Sequence, residues 1–116
     1  MKILDWFRNP ITKERMRIDF KYLEDLYAYE LLKVEESGIN DVIVLHYQLK
    51  NINEIKICRD RGYYEISMKI NNEYLNIAYE FENNIKNYHE YYGKNGYERL
   101  IQEAKGFIAR EIGNTK

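Results

Sequence analysis

His46, Cys58 and Glu65 are an imidazole, the only thiol of the chain and a carboxylate, carried on successive stretches in which apolar and polar residues alternate. A thiol beside an imidazole can lose its proton and attack a carbonyl carbon. The same residue types, joined by His89 and Glu90, are also those that ligate zinc. Either chemistry requires the chain to bring them together in a useful order, so the question passes to the elements that carry them.

The alternation is clear through the middle of the sequence. Ile43, Leu45, Tyr47 and Leu49 form one apolar set and Ile55 and Ile57 a second. Tyr64, Ile66, Met68 and Ile70 form a third, and Leu75, Ile77, Tyr79 and Phe81 a fourth. Period-two alternation predicts four strands, each with one apolar side. A two-residue turn at Asn71 and Asn72 sets Met68 opposite Leu75, Ile66 opposite Ile77 and Tyr64 opposite Tyr79. A tight turn at Arg61 and Gly62, or a four-residue loop over 60–63, sets Ile57 against Ile66 and Ile55 against Met68. A loop over 51–53 aligns Tyr47 with Ile57. This register matches apolar with apolar throughout, and a slip of one residue would turn every side chain over.

Helical spacing brackets the strands. Phe20, Leu23, Leu26, Tyr27, Leu31 and Val34 predict a helix over about 19–36, with Asp19 as N-cap, Gly38 just past its end and a possible extension back to Thr12. Tyr97, Leu100, Ile101, Ala104, Ile108 and Ile112 predict a second over about 96–112. Pro10 closes a short N-terminal element with Leu4, Trp6 and Phe7. Ile85, Tyr88 and Tyr92 suggest further helical turns, and Gly93 and Gly96 a turn before the last helix. The expected fold is one α+β domain over 1–116, a two-layer sandwich: a four-stranded antiparallel meander with N- and C-terminal helices on its apolar face.

The other face is then open. In the expected register His46 lies across from Cys58, Cys58 from Glu65 and Glu65 from Ala78. Gln48, Lys56, Ser67 and Asn76 make one flanking row, and Val44, Asp60, Tyr63 and Glu80 the other. The thiol therefore sits between imidazole and carboxylate, where the carboxylate opposes thiolate formation instead of orienting the imidazole. No glycine-rich oxyanion loop accompanies the three. No C-x-x-C or H-x-x-x-H pair supplies a metal site, and no phosphate loop or nucleotide fingerprint is present. The expectation is no catalytic residues, no metal and no cofactor. Cys58 reads as a small mid-strand residue.

Charge and length narrow the partners. The chain has 116 residues, 18 Lys plus Arg and 19 Asp plus Glu, so no net field draws it to nucleic acid or an anionic membrane. The basic run Lys13 to Arg17, "KERMR", is offset by Glu14 and Asp19 and reads as a solvated helix face. A single cysteine suits a reducing compartment, Asp5 and Arg8 interrupt any apolar leader, and no stretch is long enough to span a bilayer, which together predict a cytoplasmic protein. Twelve tyrosines exceed ordinary usage. An A/T-rich genome accounts for part of this, since Tyr, Ile, Asn and Lys share A/T-rich codons. Tyrosine is also the residue that gives contact area at low entropy cost. Tyr63, Glu65, Tyr74, Asn76, Glu80 and His46 on the open face are accordingly the expected partner-binding residues, with Tyr88, Tyr91 and Tyr92 clustered beyond it.

In size, low cysteine content, tyrosine richness and α+β pattern the chain resembles the bacterial immunity proteins encoded beside polymorphic or contact-dependent toxins. That resemblance implies an inhibitor that masks the active site of a cognate toxin, a nuclease among the candidates, by direct binding. It transfers no residue role. The alternatives are a homodimeric binding module of phage or mobile-element type and, last, a small cysteine-dependent enzyme.

Overall fold

The computed structural model describes residues 11–50, 52–76 and 91–113. Helix α1 (Lys13–Asp19) starts at Thr12, whose side chain accepts the Arg15 backbone N–H at 3.1 Å, with Glu14 in the first turn and Arg17 in the last. A cap of this kind and charges placed along the helix dipole favour a start at Thr12. Asp19, expected as an N-cap, instead ends this helix. A single turn, α2 (Tyr22–Asp25), follows, and Ala28 at φ 62° then redirects the chain.

What comes next corrects the expected helix over 19–36: residues from Glu30 onward form strand β1 (Glu30–Ser37). The sequence misleads here for an identifiable reason. Pairing with the next strand shifts register between Leu31 and Lys33, a β-bulge at Leu32. The extra residue lets Leu31 and Val34, three apart, turn to the same face, which imitates helical spacing. Gly38 lies in the turn after β1, not at a helix end.

Strands β2 (Val42–Leu49), β3 (Asn53–Asp60), β4 (Tyr63–Ile70) and β5 (Glu73–Asn76) complete an antiparallel sheet in the order β1-β2-β3-β4-β5. The described sheet thus has five strands where four were expected. The turn at Asn71 and Asn72 is as expected, with φ of 52° and 70°, and of the two connections expected between β3 and β4 the tight turn forms, with Arg61 and Gly62 at φ of 53° and 89°, the left-handed pair that a two-residue hairpin needs. They give Ile57 opposite Ile66, Ile55 opposite Met68 and Met68 opposite Leu75. The expected pairs made by Ile77, Ala78 and Tyr79 lie outside the described residues, as do the short N-terminal element and the helical turns about Ile85 and Tyr88.

The first hairpin differs. Leu49 pairs with Asn53, so the connection is residues 50–52, and Tyr47 faces Ile55 while Leu45 faces Ile57. Lys50, at φ 54°, takes the left-handed position, and the Ile52 N–H bonds back to the Leu49 carbonyl at 3.1 Å. Asn53 enters the strand, where its side chain accepts the Asn71 N–H at 3.0 Å across the sheet end. The pairing moves by two residues, which preserves which face is apolar but changes every neighbour on the other face.

Helix α3 (Gly93–Gly113) matches the expected second helix and includes both Gly93 and Gly96, which were expected in a turn before it. Its Tyr97, Leu100, Ala104 and Ile108 join Met16, Phe20 and Leu23 of the N-terminal helices against Leu45, Tyr47, Ile57 and Ile66 of the sheet in one buried cluster. Each buried Leu, Ile, Met or Phe among them stabilises the fold by roughly 1.5–3 kcal/mol relative to exposure. α1 and α3 are tied directly: the Tyr97 hydroxyl donates to Asp19 Oδ2 at 2.8 Å, and Arg15 pairs with Asp19 at 3.2 Å and with Glu98 at 3.6 Å. Among the described residues no helix is long and apolar enough to cross a membrane.

Candidate functional site

With the apolar face occupied, the polar side chains of alternate strand residues project on the outer face. Pairing across the sheet sorts them into rows. One runs Lys33, His46, Lys56, Ser67 and Asn76; the next Glu35, Val44, Cys58 and Glu65; a third Gln48, Glu54, Lys69 and Tyr74. His46 therefore faces Lys56, and Val44 faces Cys58. The expected juxtaposition of His46 with Cys58 is corrected by the first-hairpin register, whereas that of Cys58 with Glu65 is present.

The partner that His46 does meet comes from β1, the strand read as helix in the sequence. His46 Nε2 lies 2.8 Å from Glu35 Oε1, with the histidine side chain only 17% exposed. Lys33 Nζ reaches the same carboxylate oxygen at 3.1 Å. The Lys33 ammonium first, by hydrogen bond and charge, and then His46 hold the Glu35 carboxyl below the usual carboxylate range. Lys33 and Glu35 are the outer-face residues that sequence reasoning missed, and alternation could not reveal them because the bulge breaks it.

Cys58 sits between carboxylates in a half-buried position. Burial, then Glu65, Asp60 and Glu35 in turn, push its thiol up to about 11. Removing water and adding negative charge both disfavour the thiolate, so Cys58 is a protonated thiol at neutral pH and a poor nucleophile. Among the described residues no three His, Cys, Asp or Glu side chains converge to hold a metal ion. His89 and Glu90 lie outside the described residues.

The other expected binding residues divide. Glu65 Oε2 accepts the Asn76 Nδ2 donor at 3.0 Å, which fixes both on the face. Tyr63 packs on Tyr92, ring centroids 4.6 Å apart, and the two residues form an isolated β-bridge. Tyr74 is 77% exposed. Lys69 Nζ stands 5.7 Å from its ring centroid and pairs with Glu54 at 3.7 Å. Glu80 and Tyr88 fall outside the described residues. Tyr91, expected in an outer cluster, is instead fully buried and bonds through its hydroxyl to Glu103.

One groove of about 240 Å³ lies between α1 and the β1–β2 turn, lined by Thr12, Lys13, Glu36, Asp41 and Arg59 among others. Its charges are matched internally: Lys13 with Glu36 at 2.8 Å, and Arg59 with Asp41 at 2.5 Å and the Ile11 carbonyl at 2.6 Å. Sequence spacing gives no sign of it, because residues 11–13 and Arg59 meet only in the fold. The groove joins helix to sheet, and its lysine and arginine are both engaged by carboxylates of its own wall.

Comparison with protein-family models, with curated proteins and with solved structures yields no match to this chain.

Proposed function

We propose that this protein works by binding another protein through the outer face of its sheet and inhibiting it, in the manner of an immunity protein that neutralises a bacterial toxin. Tyr74 carries the reading. Its large aromatic side chain is 77% exposed and lies outside the core. Its neighbours are a lysine–glutamate pair and the bonded Glu65–Asn76 pair. Aromatic anchors set among hydrogen-bonding groups are where protein interfaces concentrate their energy.

On the described face Lys33, Lys56 and Lys69 stand against Glu30, Glu35, Glu54, Asp60 and Glu65, a small excess of carboxylates. Recognition on such a face follows the pattern of charges more than a net field. The protonated Cys58 and the paired His46 favour binding over thiol chemistry. The toxin assignment rests on the resemblance in size, composition and pattern, and a nuclease remains one candidate for the cognate toxin, whose basic active site the carboxylates of the face would meet.

The test is capture of a partner from the source cell, identification by mass spectrometry, and measurement of the purified complex. Tyr74→Ala should weaken it by about 2 kcal/mol, roughly thirtyfold, without changing the melting temperature. Unchanged affinity would remove the sheet face from consideration. Co-expression then separates inhibition from mere binding: an immunity protein restores growth to cells that make the captured toxin, and a Tyr74→Ala variant restores less.

A further inference from the structure

β1 is an edge strand: among the described residues it pairs with β2 and with no strand on its other side. Every second residue of such a strand turns a backbone N–H and C=O away from the sheet, ready to pair with another strand. Lys33 and Glu35 stand on the outer face on either side of Val34. Leu32, at the bulge, is 53% exposed.

From these positions we infer that a second copy of this chain docks on β1, strand to strand and antiparallel, across a twofold axis at Val34. Side chains directly opposite across an antiparallel pair share a face. Centring the axis on Val34 sets Val34 against its own copy and puts Lys33 of each chain opposite Glu35 of the other, two opposite-charge pairs. Centring it on Lys33, Glu35 or Glu36 would set like charges together. The strand is therefore self-complementary in one register and self-repelling in its neighbours, which is how a specific contact is separated from general edge stickiness. The bulge at Leu32 confines regular pairing to a few residues, so the contact belongs to the small, weak class of interfaces. Because the twofold uses the β1 edge of both copies, the assembly closes as a dimer. Two five-stranded sheets become one, with the outer faces continuous and a Tyr74 toward each far side. The inference is independent of the inhibitor reading.

Sedimentation equilibrium over a concentration series, together with charge reversal, tests it. Wild type should show a monomer–dimer equilibrium, and a chain that stays monomeric up to about 1 mM overturns the proposal. Lys33→Glu alone and Glu35→Lys alone should each weaken self-association by about tenfold or more, since each sets like charges opposite one another. An equimolar mixture of the two variants should dimerise again, because each then meets the opposite charge at both positions. Single variants that associate as wild type does, or a mixture that does not recover, place the contact elsewhere and overturn it. Circular dichroism melts check that both variants fold. Should either fail, Val34→Cys in a Cys58→Ser background gives a second readout: facing positions across the axis are close enough for a disulfide. Mild oxidation should then cross-link it faster than Ile39→Cys, in the exposed β1–β2 turn, in the same background. Equal rates would refute the Val34 axis.

Discussion

The rings of Tyr63 and Tyr92 lie 4.6 Å apart, centroid to centroid, above Gly62, the second residue of the β3–β4 turn. Backbone bonds fasten the same place: Tyr64 N–H to the Tyr91 carbonyl and Gly93 N–H to the Gly62 carbonyl, each at 2.8 Å. The segment entering α3 is thus clamped to the hairpin, and Tyr63 is part of the clamp. Gly62 has φ 89°, and a Cβ there would meet Tyr92 Cε1 at 2.9 Å. Gly62→Ala should therefore cost about 1–3 kcal/mol, read from urea unfolding. An unchanged midpoint would mean that the clamp is not closed in solution.

Ile66 is fully buried on β4, opposite Ile57. Ile66→Asp leaves an unpaired charge in the core and should unfold the domain or lower its stability by several kcal/mol. A variant melting within a degree or two of wild type would reverse the assignment of faces.

Two buried tyrosines should respond oppositely to loss of the hydroxyl. The Tyr97 hydroxyl donates to Asp19, so Tyr97→Phe should destabilise by about 1.5 kcal/mol, the value of a hydrogen bond to a charged group. The buried Tyr47 hydroxyl has no hydrogen-bond partner among the described residues. Tyr47→Phe should then be neutral or stabilising, by up to about 1 kcal/mol. Paired thermal melts decide it, and equal losses for both would contradict the assignment of partners.

Alkali should unfold the protein. Burial pushes Tyr47 and Tyr64 up to about 12 from an ordinary 10, and raises Tyr22 and Tyr97 further. A group whose folded pKa is raised contributes stability that is fully present below its unfolded pKa and lost as pH climbs through the folded value. Stability should be flat with respect to these tyrosines to about pH 10, fall through about pH 12 as Tyr47 and Tyr64 ionise, and go on falling above it for Tyr22 and Tyr97. Tyrosinate absorbance and circular dichroism should change together, and full tyrosine ionisation ahead of unfolding would contradict this burial.

Cys58 should react slowly. With its thiol near 11 instead of 9, the thiolate fraction at neutral pH falls about a hundredfold. Labelling by a thiol reagent should be slower than for free cysteine by about that factor, and Cys58→Ser should preserve partner binding. Fast labelling of the folded protein would reopen thiol chemistry.

The sequence by itself determined the β2–β5 meander within the described residues, the Asn71–Asn72 turn, the β3–β4 register, the apolar face and α3. Each follows from local rules: side-chain alternation, the left-handed backbone that Arg61–Gly62 and Asn71–Asn72 adopt, and helical period. It also placed Cys58 beside Glu65, because the turn between them fixes register within a few residues. Tertiary structure decided the rest. β1 is a strand because its backbone pairs with β2 across a four-residue turn, and its bulge gave Leu31 and Val34 a spacing that local periodicity assigns to a helix. The first hairpin pairs Leu49 with Asn53 where the 51–53 loop would pair Lys50 with Glu54, a choice between two registers that keep the same side chains on the apolar face. That two-residue shift moved His46 from Cys58 to Lys56, and β1 brought Glu35 to His46, so the neighbours on the outer face were settled by pairing energies that no single stretch of sequence contains.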